Sequence, residues 1–139
     1  MTSDLNLFIN PEPIPTSSQE LVQEASLCLD RFTAAFNTCD TERMDTELHF
    51  PHCMYSGSEL MIWNSAGQHP SVFFEKLKTA GWSSTRYIYK HPVLVSKDKV
   101  HFVIEYVRCD IHDRVISNHT NLWFVTKING KWGISLRSY

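Results

Sequence analysis

The chain has 139 residues, 42% of them hydrophobic and 20% charged, with a formal net charge of -2 when the seven histidines are neutral. One domain of this length withdraws about 70% of its unfolded surface from water, enough for a core without disulfide or metal staples. There is no basic field to attract nucleic acid, and no window approaches the roughly 20 apolar residues of a membrane span, so neither is an expected partner.

Met1 to Ser18 carries neither a cationic start nor an apolar stretch, which reads as a soluble, cytosolic protein. Pro11, Pro13 and Pro15 alternate and exclude helix, so residues 1–16 are expected to form an extended arm and residues 17–139 a single domain. Ser17 and Glu20 have the spacing of a capping box. Leu21, Ala25, Leu29, Phe32 and Phe36 then fall on one helical face. Asp40 is placed to cap a short second helix through Met44 and Leu48.

The segment His49 to Tyr55 holds Pro51 and suits an edge strand, and the turn Ser56-Gly57-Ser58 leads into Leu60 to Trp63, which predicts a short hairpin. Pro70 to Gly81 predicts a third helix, with proline in its first turn and glycine as its stop. Four strands are expected after it, near Ser83–Val95, Val100–His112, Ile116–Lys127 and Lys131–Ser138. Asn129-Gly130 is the strongest hairpin signal, because both residues tolerate positive φ. Trp132 and Ile134 are expected in the core. Helices followed by antiparallel strands make an α+β fold.

Alternation puts Phe102, Ile104, Tyr106, Arg108 and Asp110 on one strand face and Val103, Glu105, Val107, Cys109 and Ile111 on the other. Neither face reads as solvent. Three helices cover only one, so a second subunit is the expected cover of the other, which predicts a homodimer.

The order of elements, with "HFPH" (residues 49–52), "VRCD" (107–110) and "WGISLRS" (132–138), resembles the nuclear transport factor 2-like fold in its SnoaL-like and ketosteroid-isomerase-like branch. The resemblance covers residues 17–139. It implies a cone, in which a curved antiparallel sheet wraps the N-terminal helices around a deep pocket and its outer face commonly forms a dimer. Members include isomerases, cyclases, dehydratases and proteins without catalysis, so the fold leaves the reaction open.

Arg108 and Asp110, two apart on a strand, can contact one ligand together or form a structural ion pair. Asp110 or His52 is the candidate base, Arg108 or a tyrosine (Tyr55 or Tyr106) the candidate oxyanion donor, and Arg137 a candidate for the charged end. Tyr55, Trp63, Tyr87, Tyr106 and Trp123 are candidates for an apolar ligand wall, although such aromatics also fill cores. His49 and His52 lie three apart and point to opposite faces of a strand, which argues against a shared metal ion. Cys28, Cys39, Cys53 and Cys109 form no C-x-x-C pair and read as free thiols. Nucleophile-elbow, phosphate-loop and dinucleotide motifs are absent. The expectation is a small-molecule-binding protein with a partly apolar pocket and no cofactor. An isomerase, cyclase or dehydratase working by proton transfer next to a carbonyl is the alternative, and a dimeric interaction module without a ligand is the third.

Overall fold

The structure, a computed structural model, describes residues 14–15 and 18–139. Most of the expected N-terminal arm, and Ser17 of the expected capping box, lie outside the described residues. Ile14 donates its N–H to the Val95 carbonyl at 2.9 Å.

Helix α1 (Gln19–Asn37) buries Ala25, Cys28, Leu29, Phe32 and Ala35, one stripe at helical spacing. Ser18 precedes it without a side-chain cap. Cys39, at φ 57, turns the chain into α2 (Thr41–Thr46), where the Asp40 carboxylate accepts the Arg43 N–H at 3.2 Å. The hairpin β1 (Leu48–Ser56) and β2 (Glu59–Trp63) follows. Helix α3 (Phe73–Thr79) is shorter than expected. The Pro70 carbonyl accepts the Phe73 N–H, so Pro70 belongs to a turn and the helix starts after it. Gly81, at φ 99, ends this segment in the left-handed region expected of a helix stop.

Strands β3 (Ser84–Ser96), β4 (Lys99–Cys109), β5 (Val115–Ile128) and β6 (Lys131–Ser138) complete one curved sheet in the order β2-β1-β6-β5-β4-β3. Its strands pair antiparallel except at β1–β6, which is parallel. Register shifts within β3 and β5 and at the end of β4 supply the bends that curve it.

Directly paired residues share a face, so the register separates the two surfaces of the sheet. One row runs Met61, Met54, Arg137, Trp123, Phe102 and Pro92 from edge to edge. This side meets α1, with Leu29 and Phe32 packed among Val100, Phe102, Ile104 and Ile134 in the core. The neighbouring row on the opposite face is Ile62, Cys53, Leu136, Phe124, His101 and Leu94, apolar but for one histidine. Cys28 and Cys109 are buried free thiols, and Cys39 and Cys53 are half-buried.

Asn129 (φ 52) and Gly130 (φ 77) form the β5–β6 turn, and Trp132 and Ile134 are buried beyond it. Gly130→Val forces a β-branched residue into the left-handed region, so we expect it to cost about 1–2 kcal/mol. Thermal denaturation would measure this, and an unchanged melting temperature would show that the turn does not depend on that conformation.

Candidate functional site

A cavity of about 270 Å³ lies between α1, the inner sheet face and the segment leading into α3. Phe32 and Phe36 come from the helix, Met54, Trp63 and Trp123 from the sheet, and Phe73 closes the side at α3. Phe36 makes edge contacts with Phe73, Phe74 and Trp82, which braces this wall.

Of the residues expected at a site, Trp63, Tyr87, Tyr106, Arg108, Trp123 and Arg137 line this cavity. Tyr55 does not: Met54 takes the inner position on β1, and the next side chain points outward at 40% exposure. Asp110 does not join Arg108. Strand β4 ends at Cys109, and the Asp110 carboxylate accepts the His112 and Arg114 N–H groups, each at 2.9 Å, while pairing with the Arg114 side chain at 3.2 Å. It is a solvent-facing turn residue, held below the usual carboxylate range chiefly by the Arg114 N–H and then by the His112 N–H. Asp110 is not among the residues that line the cavity.

Arg137 is the central polar group. Only 5% of it is exposed, and no carboxylate pairs with it among the described residues. Its guanidinium carbon lies 5.2 Å from the Phe32 ring and 5.7–5.8 Å from Trp63, Trp123 and Tyr139. Desolvated cation–π contacts of this kind contribute up to about 2 kcal/mol each and offset part of the cost of burial.

His52 lies behind Arg137, wholly buried. Its Nδ1 donates to the Ile134 carbonyl at 2.9 Å, which leaves the Nε2 lone pair to accept the Arg137 Nε–H at 2.9 Å. Burial first, and the Arg137 charge second, push its pKa down to about 3. His52 is therefore neutral near pH 7 with its lone pair occupied. It positions the arginine and does not serve as the free acid or base expected from sequence.

A second histidine, His69, stands at the cavity wall itself. It lies 4.7 Å from the Trp63 ring and bonds through Nε2 to Asp45 Oδ1 at 2.8 Å. The other Asp45 oxygen accepts the Gly67 N–H at 2.9 Å, which fixes the carboxylate. Burial lowers the His69 pKa and outweighs the raising effect of Asp45. The neutral ring donates Nε2–H to Asp45, so Nδ1 carries the lone pair and has no partner among the described residues. A histidine oriented by a carboxylate beside an unpaired arginine can take a proton while the arginine holds the developing oxygen charge. Neither His69 nor Asp45 belongs to a recognisable motif. The folded chain alone brings together residues separated by two strands of a hairpin.

Solved structures share this architecture. A protein of unknown function with a cystatin-like fold from Nostoc punctiforme is 16% identical, aligns over 84% of this chain and 87% of its own, and has a TM-score of 0.65. The fold is nuclear transport factor 2-like. A nuclear transport factor 2-like protein from Novosphingobium aromaticivorans is 14% identical over 86% of this chain and 80% of its own, with a TM-score of 0.62. A Shewanella frigidimarina protein provisionally assigned as a ketosteroid isomerase is 12% identical over 89% of this chain and 96% of its own, with a TM-score of 0.60. No family model and no curated protein matches the chain. At these identities the nuclear transport factor 2-like likeness extends to the fold alone. No helix among the described residues is long and apolar enough to cross a membrane.

Proposed function

We propose that the protein binds a small organic molecule carrying a carboxylate or carbonyl oxygen, with its apolar body against the aromatic wall and its oxygen on Arg137. The observation that carries this reading is a guanidinium almost fully buried, without a carboxylate partner among the described residues, at the wall of a largely aromatic cavity. A buried charge is costly unless paired, and a ligand oxygen completes the pairing. Trp63 and Trp123 flank the cavity, so intrinsic fluorescence reports occupancy. Benzoate and acetophenone are expected to give saturable changes and toluene a weaker one. Equal responses to all three, or none, would overturn the reading.

The His69–Asp45 pair supports a second reading, proton transfer next to a carbonyl. His69 Nδ1 is the base in this reading, Asp45 positions the ring, and Arg137 stabilises the enolate oxygen. Deuterium uptake at the methyl group of acetophenone in D2O, followed by NMR, tests it. Uptake is expected to fall in His69→Gln and in Asp45→Asn. Uptake at the wild-type rate in His69→Gln would remove His69 from the base role.

For the outer face of the sheet we propose a second copy of the chain as the cover. The row from Ile62 to Leu94 crosses all six strands, a width of about 24 Å, and Leu60, Tyr55 and Tyr89 extend the exposed apolar surface of the sheet. Light scattering at micromolar concentration is expected to give a dimer, and Phe124→Glu a monomer. A monomeric wild-type protein would overturn the assignment.

A further inference from the structure

The cavity offers hydrogen-bond donors in excess of acceptors. Among the described residues three buried side-chain polar atoms lack partners, and two of them, Arg108 Nε and Trp123 Nε1, belong to residues lining this cavity. Trp123 is 4% exposed, and its indole N–H can only donate. The Tyr106 hydroxyl accepts from Asn121 Nδ2 at 3.0 Å, which leaves its own proton to donate. Tyr87 contrasts with it: its hydroxyl accepts from Thr33 at 2.7 Å and donates to the Leu29 carbonyl at 3.2 Å, so it presents only its ring. No aspartate or glutamate lines the cavity, and neither Arg108 nor Arg137 has an acidic partner among the described residues.

The two arginines stand at different places on the inner face. Arg137 is level with Trp123 and Phe102 across the sheet, whereas Arg108 lies six residues beyond Phe102 along β4. At the ordinary rise of a strand that is about 20 Å of backbone, and two strand spacings add roughly 10 Å across it. Two side chains so separated cannot share one carboxylate, yet both line the one cavity that Tyr106 also lines. Burial raises the pKa of that phenol, while both guanidinium charges act to lower it.

We infer that the cavity takes a doubly anionic ligand, a small unsaturated or aromatic frame with two separate oxygen-anion groups, one held by Arg137 and the other by Arg108. This rests on the reading that Arg137 receives a ligand oxygen, and adds a second, independent anchor. A donor-rich wall with two unpaired positive charges selects groups that only accept, and two such groups neutralise it.

The three benzenedicarboxylate isomers act as a ruler for this spacing, with benzoate as the singly charged reference. At fixed ionic strength, calorimetric titration is expected to give the para isomer at least tenfold tighter binding than benzoate and the ortho isomer a smaller gain. In Arg108→Gln the ratio of para isomer to benzoate affinity is expected to fall to near one. Arg108→Lys, which keeps the charge without the guanidinium fork, should retain part of it. Melting curves of both variants establish that they are folded. If benzoate binds and the diacids gain nothing, or if the gain survives in Arg108→Gln, the second anchor is overturned while the Arg137 reading stands. If neither benzoate nor any diacid binds, both fall.

Discussion

Arg137→Met is expected to weaken benzoate binding by roughly 30-fold or more while shifting stability by no more than ~2 kcal/mol, because deleting one member of a buried charge pair is costly to binding, whereas an apolar replacement relieves desolvation. The variant loses the cation–π contacts and leaves His52 Nε2 without a donor, a cost of about 1–3 kcal/mol. Relief from an unpaired buried charge offsets that cost, and methionine fills a similar volume beside Met54 and Trp123. Thermal unfolding with and without benzoate separates the two quantities. A collapse of the melting temperature in the unliganded variant would show that Arg137 is held for structure, and the binding role would lose its main support.

Acid is expected to destabilise the fold from just below pH 6.5. Four histidines have lowered pKa values, each with burial as the largest cause: His52 falls to about 3, His101 to about 4, and His69 and His119 also lie below the ordinary histidine value. A histidine whose folded pKa lies below its unfolded value of about 6.5 takes its proton first in the unfolded chain. Its stabilisation is complete above that unfolded value and drains away as the pH falls toward the folded one. For the wholly buried His52 the slope approaches about 1.4 kcal/mol per pH unit, and the other three add to it. Urea midpoints from pH 7.5 to 4.5 would measure the slope, and a flat profile down to pH 5 would contradict it. His101 stacks on Phe124 with ring centroids 3.7 Å apart, so His101→Phe should reduce the proton uptake on unfolding by about one.

The elements with a clear period were legible in the sequence. The buried stripe of α1 follows the 3.6-residue repeat, the inner positions of β4 from Phe102 to Arg108 follow the two-residue repeat, and Asn129-Gly130 sits where its φ preferences require. Asp110 shows the limit of alternation, which says which face a residue occupies while pairing lasts but not where pairing stops. There, the preference of aspartate for accepting nearby backbone N–H groups decides. Tyr55 faces outward where a place in the cavity wall was expected, because His49 to Tyr55 has no clean alternation and its register against β6 shifts between Leu48 and Cys53. Asp45 and His69 carry no local signal, since their meeting depends on how α2, the hairpin and the segment before α3 pack together. Arg137 was legible only as a candidate for the charged end of a pocket. That its partners are aromatic faces and a neutral imidazole was not.

Strand β6 joins two parts of the sheet that share no backbone ladder with each other, although the His49 ring of β1 bonds to the Thr126 carbonyl of β5 at 3.1 Å. On one side is the early hairpin β1–β2, and on the other the meander β3–β4–β5. Antiparallel neighbours linked by tight turns can zip locally, but β1 meets β6 across more than half the chain and must wait for a long loop to close. The parallel seam is thus the slow junction of assembly. Arg137 lies on it between Met54 and Trp123, so the cavity wall becomes continuous only when the last large loop-closure cost has been met.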